Sequence, residues 1–229
     1  MTPAVPAPGH LDFGDLRRLT PISRAFGFER GRPVDRFYIE QFLAQHAADI
    51  HGRVLEVGDD HYTRQFGGTR VGQSDILDLP RDDSRATIEA DLADADHTHI
   101  PAESFDCIIF TQTLQYIFPL ETAVATLHRI LRPGGVLLGT FPTISQICRF
   151  DMDRWGDYWR FTSASIRRLL TAVFPADALT ITAHGNVLTA VCFLHGLSDH
   201  ELSPDELAYH DPDYELLITA RAVKDWSTR

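Results

Sequence analysis

The run FDCIIFT (105–111), the segment PLETAVATLHRILRPGG (119–135) and the run GVLLGTF (135–141) constrain the fold more than any other part of the chain. Both short runs are apolar almost throughout, as strands buried on both faces are. Between them Leu120, Val124, Leu127 and Leu131 recur at helical spacing. Pro119 suits the helix start, His128, Arg129 and Arg132 its negative end, and Gly134 its stop. His128 reads as a partner of the helix dipole. Strand, helix and strand in this order form a crossover, and crossovers join parallel strands.

Five more segments read as strands: RVLEV (53–57), TRVGQSD (69–75), ATIEADL (86–92), ALTITAHGNV (178–187) and YELLITARAV (214–223). A helix opening at Pro33 precedes them, with Ile39, Phe42, Leu43, His46 and Ile50 at helical spacing. Another follows the fifth strand, with Ile166, Leu169, Leu170 and Val173 on one face. LTAVCFLHGL (188–197) fits helix or strand, with His195 a half-buried core residue. SPDEL (203–207) has Ser203, Pro204 and Glu206 in capping-box order. The expectation is an α/β fold, a Rossmann-like, mostly parallel sheet in one domain over 33–229. Residues 1–32 form a lead-in that can serve as a lid.

Composition narrows the function. The 229 residues are 44% hydrophobic and 23% charged, without an apolar run of membrane-spanning length, and MTPAVPAPGH lacks the form of a signal peptide. Cys107, Cys148 and Cys192 are odd in number and far apart, which points to a reduced, cytoplasmic protein. A formal charge of −11 disfavours nucleic acid and fits small-molecule partners better. Neither HTH (97–99) nor HDPD (210–213) has convincing metal spacing, so no metal is expected.

Open α/β sheets bind ligands beyond the carboxyl ends of their strands. The residues there are Glu56, Gly58 and Asp59, then Asp75, then Asp91 and Leu92, then Thr111, Gln112 and Thr113. Asp75 follows Glu56 by 19 residues, the interval at which an acid accepts hydrogen bonds from a ribose diol. Taken singly, these acids also fit structural roles. Glu56 can pair with an arginine, and Asp75 can cap a helix.

The ordered set VLEVG, SD, ADL, FDCIIFTQTLQYI and LHRILRPGGVLLGTFP resembles class I S-adenosylmethionine-dependent methyltransferases over residues 33–223. GDDHYTRQFGG and MDRWGDYWRFT look like a bacterial subgroup often associated with glycosyltransferases. The resemblance implies seven strands, the last antiparallel, and S-adenosylmethionine as cofactor, with S-adenosylhomocysteine as product. It implies Glu56, Gly58, Asp59 and Tyr62 at the methionyl end, Asp75 and Ile76 at the ribose, and Asp91 and Leu92 at the adenine. Thr111, Gln112, Thr113 and Gln115 then line the junction with the acceptor. The family loop is E/D-x-G-x-G-x-G, whereas here only Gly58 remains, with Asp60 and Tyr62 at the later glycine positions. Two acids in this turn repel a pyrophosphate and suit a sulfonium, which favours the methyl donor over NAD.

For the acceptor, RFDMDRWGDYWRFT (149–162) offers Arg154, Trp155, Tyr158, Trp159 and Arg160. Such a mixture can stack on a ring and clamp an anion. RGRPVDRFYIE (30–40) adds Arg32, Arg36 and Tyr38 if it folds over the same site. The expected reaction is O-methylation of a sugar-containing or carboxylate metabolite in specialised metabolism or glycan biosynthesis. His61, His184 and Gln115 are the catalytic candidates. Two rivals remain: an inactive scaffold or partner subunit of the same fold, and a nucleotide-dependent oxidoreductase.

Overall fold

The computed structural model describes residues 6–80, 85–94 and 99–226. Seven strands form one sheet: β1 (Gly52–Val57), β2 (Val71–Asp78), β3 (Ile88–Glu89), β4 (Phe105–Thr111), β5 (Leu131–Pro142), β6 (Leu179–His184) and β7 (Leu217–Val223). Their order is β3-β2-β1-β4-β5-β7-β6. The pairs among β1 to β5 are parallel, and β7 runs antiparallel to both β5 and β6. This is the Rossmann-like sheet that the sequence led us to expect, with its last strand reversed.

The central strands are buried on both faces, which is why they read as unbroken apolar runs. Successive side chains point to opposite faces. Ile108, Phe110 and Leu137 pack with α2 (Leu120–Ile130) and α4 (Ser163–Leu170). Cys107, Ile109 and Leu138 pack with α1 (Val34–Gln45) and α5 (Val187–Leu194). The ambiguous segment at 188–197 is therefore largely helix. The Asn186 side chain caps it, its Oδ1 accepting the Leu188 and Thr189 amides. Ser203 and Glu206 make the expected capping box at the start of α6 (Pro204–Ala208). Among the described residues no helix is long and apolar enough to cross a membrane.

Two expectations change. The second strand runs on to Asp78, three residues past the expected end, and the third shrinks to two residues. His128 lies in the last turn of α2 as expected, but packed against an aromatic ring. Its ring meets Phe174 edge-on at 5.0 Å, and burial holds its pKa below the ordinary value, which favours the neutral form.

Register fixes where a ligand can approach. Val57, the last residue of β1, pairs with Leu77, and the Gly58 amide donates to the Leu77 carbonyl at 2.9 Å. The turn at Gly58 therefore opens beside Asp78.

Candidate functional site

A cavity of about 670 Å³ lies beyond the carboxyl ends of β1, β2 and β4. Gly58 sits on its wall with φ of +86°, a conformation that glycine adopts without steric penalty, and a side chain there would meet open space. Beneath it Glu56 is only 2% exposed. Its carboxylate accepts the Tyr62 amide at 3.1 Å and the Thr63 amide and hydroxyl, each at 2.7 Å. Glu56 thus holds the loop shut where later glycines would otherwise shape it. Burial pushes its carboxyl up to about 7, against the pull of those donors. Asp59 lines the cavity but also accepts the His61 amide, and Asp60 pairs with Arg64. Tyr62 lines the wall, its hydroxyl accepting from Arg36 at 3.1 Å.

The second strand departs from the sequence reading. Asp75 is 5% exposed and lies below the cavity. It accepts Arg53 Nε at 2.7 Å, Gln73 Nε2 at 3.0 Å and Thr87 Oγ1 at 3.1 Å. Paired with Leu55, it sits mid-strand, and neither it nor the neighbouring Ile76, both expected at the ribose, lines the cavity. Asp78, at the true end of β2, lines the cavity instead. Asp91 and Leu92 line it too, and Asp91 steadies its own turn by accepting the Ala93 amide at 2.7 Å.

At the end of β4, Thr111, Gln112 and Thr113 all line the cavity. Gln112 has φ of +49°, an uncommon conformation for a residue other than glycine. Gln115 is 3% exposed and donates through Nε2 to the Gln112 carbonyl at 2.8 Å. Its Oε1 and the Gln112 Nε2 are buried without a partner. Orphaned polar atoms in a cavity wall are positions for a ligand to satisfy.

The cavity wall also takes Trp155, Tyr158 and Arg160 from the aromatic segment, and Arg36 from the first turn of α1. Their aromatic and charged neighbours divide differently. Trp159 turns inward, its indole N–H donating to the Ile117 carbonyl at 3.1 Å. Arg154 donates to the Phe150 carbonyl and lies over that ring. Arg32 is held by Asp199 and Glu40, and the Tyr38 hydroxyl donates to the Leu207 carbonyl at 2.8 Å. None of these four lines the cavity.

Neither histidine candidate lies at this cavity. His184 ends β6, separated from β4 by β5 and β7, stacks on Tyr38 and bonds Thr219 at 2.9 Å. Burial pushes it down to about 4. His61 is exposed and faces a smaller recess beside Arg32 and Glu40. The sequence reading missed Phe26, Phe28, Asp35, Tyr116, Cys148 and Asp151, all in the wall. Among the described residues no three His, Cys, Asp or Glu side chains gather closely enough to hold a metal ion.

Residues 38–139 match the family model described as a methyltransferase domain. Over these residues the chain is similar to that methyltransferase domain. The N-methyltransferase NodS from Bradyrhizobium japonicum, solved with S-adenosylhomocysteine, is similar in fold: TM-score 0.51, 20% identity, 85% of this chain and 89% of that one covered. A methyltransferase from Archaeoglobus fulgidus described as SAM-dependent aligns at TM-score 0.55 with 12% identity, over 88% of this chain and 100% of that one. The [4+2]-cyclase SpnF aligns at TM-score 0.52 with 16% identity, over 82% and 81%. No curated protein matches the chain in sequence. The methyltransferase domain as matched spans β1, the Gly58 turn, Asp78, Asp91 and the β4 end, but not Trp155, Tyr158 or Arg160.

Proposed function

We propose that this protein transfers a methyl group from S-adenosylmethionine to a small molecule. The observation that carries this reading is the cavity wall at the strand ends. It combines an open glycine turn on Glu56, an acid at the end of β2, and Asp91 with Leu92 at the next strand end. In this assignment Asp78 receives the ribose hydroxyls and Leu92 lies against the adenine. Glu56 and Asp59 set negative charge near the methionyl ammonium and sulfonium. When bound, the cofactor supplies an electrophilic methyl group on positive sulfur. The chain's task is to bind it, exclude water and align the nucleophile.

The remaining space, with Trp155, Tyr158 and Tyr116 in its wall, suits a ring-bearing metabolite, such as the sugar-containing acceptor expected from the sequence. A carboxylate acceptor is less well served. Arg160 is already bonded to Asp157 and to the Gln146 carbonyl, and Arg36 lies between Asp35 and Tyr62. The three unpaired cysteines are consistent with the expected cytoplasmic setting.

Calorimetry tests the reading: S-adenosylmethionine and S-adenosylhomocysteine should bind and NADH should not. Binding of neither sulfur compound would favour an inactive scaffold of the same fold. Binding of NADH alone would favour the oxidoreductase.

The lead-in supports a lid role. The Ile22 and Ser23 amides both donate to the His195 carbonyl, and Arg30 pairs with Glu201, so the segment is pinned to the end of α5 and beyond. From there Phe26 and Phe28 reach the cavity wall. Amide exchange across residues 20–38 should slow when S-adenosylhomocysteine binds. Equal protection in free and bound protein would remove the lid.

A further inference from the structure

Resting on the methyl-transfer reading, we infer that the acceptor carries an amine, bound as its ammonium by Asp151 and Gln115 beside the rings of Trp155 and Tyr158. Six carboxyl side chains line the cavity (Asp35, Glu56, Asp59, Asp78, Asp91 and Asp151) against two guanidinium groups, Arg36 and Arg160. Both guanidiniums have partners already. Asp151 differs from the other acids in coming from α3 (Arg149–Met152), the short helix in the aromatic segment. Its side-chain partners are the Tyr116 hydroxyl and the Cys148 thiol, both neutral, and no Arg or Lys ion pair to it occurs among the described residues. The wall around Asp151 thus holds a carboxylate with no cationic partner among the described residues.

A second, independent observation concerns hydrogen count. Gln115 Oε1 is buried without a partner, and the Gln115 side chain meets the same Tyr116 that Asp151 meets. An ionised carboxylate and an amide oxygen only accept. One hydroxyl brings one hydrogen and satisfies one of them, whereas an ammonium brings up to three. The aromatic rings add attraction for a cation rather than for a neutral or anionic group.

The chemistry balances. The ammonium passes a proton to the Asp151 carboxylate. The freed lone pair forms the new N–CH₃ bond while the C–S pair returns to sulfur, so the sulfonium becomes a neutral thioether. The product leaves as the methylated ammonium, and Asp151 returns its proton to solvent.

Three matched probes test this on protein saturated with S-adenosylhomocysteine: benzylammonium, benzyl alcohol and benzoate, titrated by NMR. Benzylammonium should bind about tenfold or more tightly than the other two, and Asp151→Asn should remove that preference while S-adenosylhomocysteine affinity is kept. The inference is overturned if benzyl alcohol or benzoate binds as well, if no probe binds, or if Asp151→Asn leaves benzylammonium affinity unchanged. The wild-type comparison decides the matter even if the variant folds poorly. Failure of S-adenosylhomocysteine to bind the wild type would sink the methyl-transfer reading itself; its binding without ammonium preference sinks only the amine.

Discussion

S-adenosylmethionine should bind the wild-type protein about tenfold more tightly at pH 7.0 than at pH 5.5, and Glu56→Gln should bind weakly and equally at both. The cause is the burial of Glu56. Its carboxyl is pushed up to about 7 although three donors converge on it. At pH 5.5 the free protein therefore holds a proton there. A bound cation favours the ionised form, so binding at that pH must first expel the proton, while near pH 7 about half the molecules have already lost it. The cofactor's own α-amino group, with an ordinary pKa of about 7.7–8.0, stays charged across this window. The same shift has a consequence for folding. An acid whose folded pKa lies above its unfolded value holds its proton in the native state after the unfolded chain has released it. Cofactor-free protein therefore loses stability from this group between pH 4.5 and 7, by about 3 kcal/mol at most, and nothing further above pH 7. Glu56→Gln abolishes that slope too, and thermal melts at three pH values would register it. An affinity flat with pH in the wild type would mean that no positive charge of the cofactor comes near Glu56.

What the sequence disclosed follows from how each element is buried. FDCIIFT and the end of β5 were legible because strands covered on both faces leave continuous apolar runs. Trp155 and Tyr158 stood out as aromatic, but nothing in the spacing separates Tyr158 from Trp159. The difference is that one indole N–H finds the Ile117 carbonyl. His184 looked eligible because strand order is invisible in a sequence. Once β7 inserts between β5 and β6, the end of β6 lies at the sheet's edge, away from the crevice. Asp35 reads as a partner of the α1 dipole and Asp151 as one of several charges in its stretch, and only the folded chain brings both to the cavity wall. Asp106, inside the most recognisable run, proved structural. It accepts the Arg53 amide at 2.7 Å and pairs with Arg132 at the opposite end of the strands.

Asp75 and Asp78 should separate cleanly when each is replaced by alanine. They are three residues apart on one strand, so the spacing rule of about 20 residues after Glu56 admits either. Their surroundings do not. Asp75 is buried with Arg53, and its removal leaves a guanidinium and two other donors without their acceptor. Breaking such a pair costs about 3 kcal/mol, and in a chain of this size that lowers the melting temperature by roughly 6–12 °C. Cofactor affinity should survive, because Asp75 does not reach the cavity. Asp78 lies half-buried in the cavity wall, steadied by the Leu79 amide at 2.8 Å. Asp78→Ala should bind S-adenosylhomocysteine roughly ten- to a hundredfold more weakly, the loss of a charge-assisted hydrogen bond to a ribose. Melting curves and calorimetry on the two variants give four numbers. If Asp75→Ala weakens the ligand and leaves the fold intact while Asp78→Ala does the reverse, β2 ends three residues earlier in solution and the ribose belongs to the first acid after all.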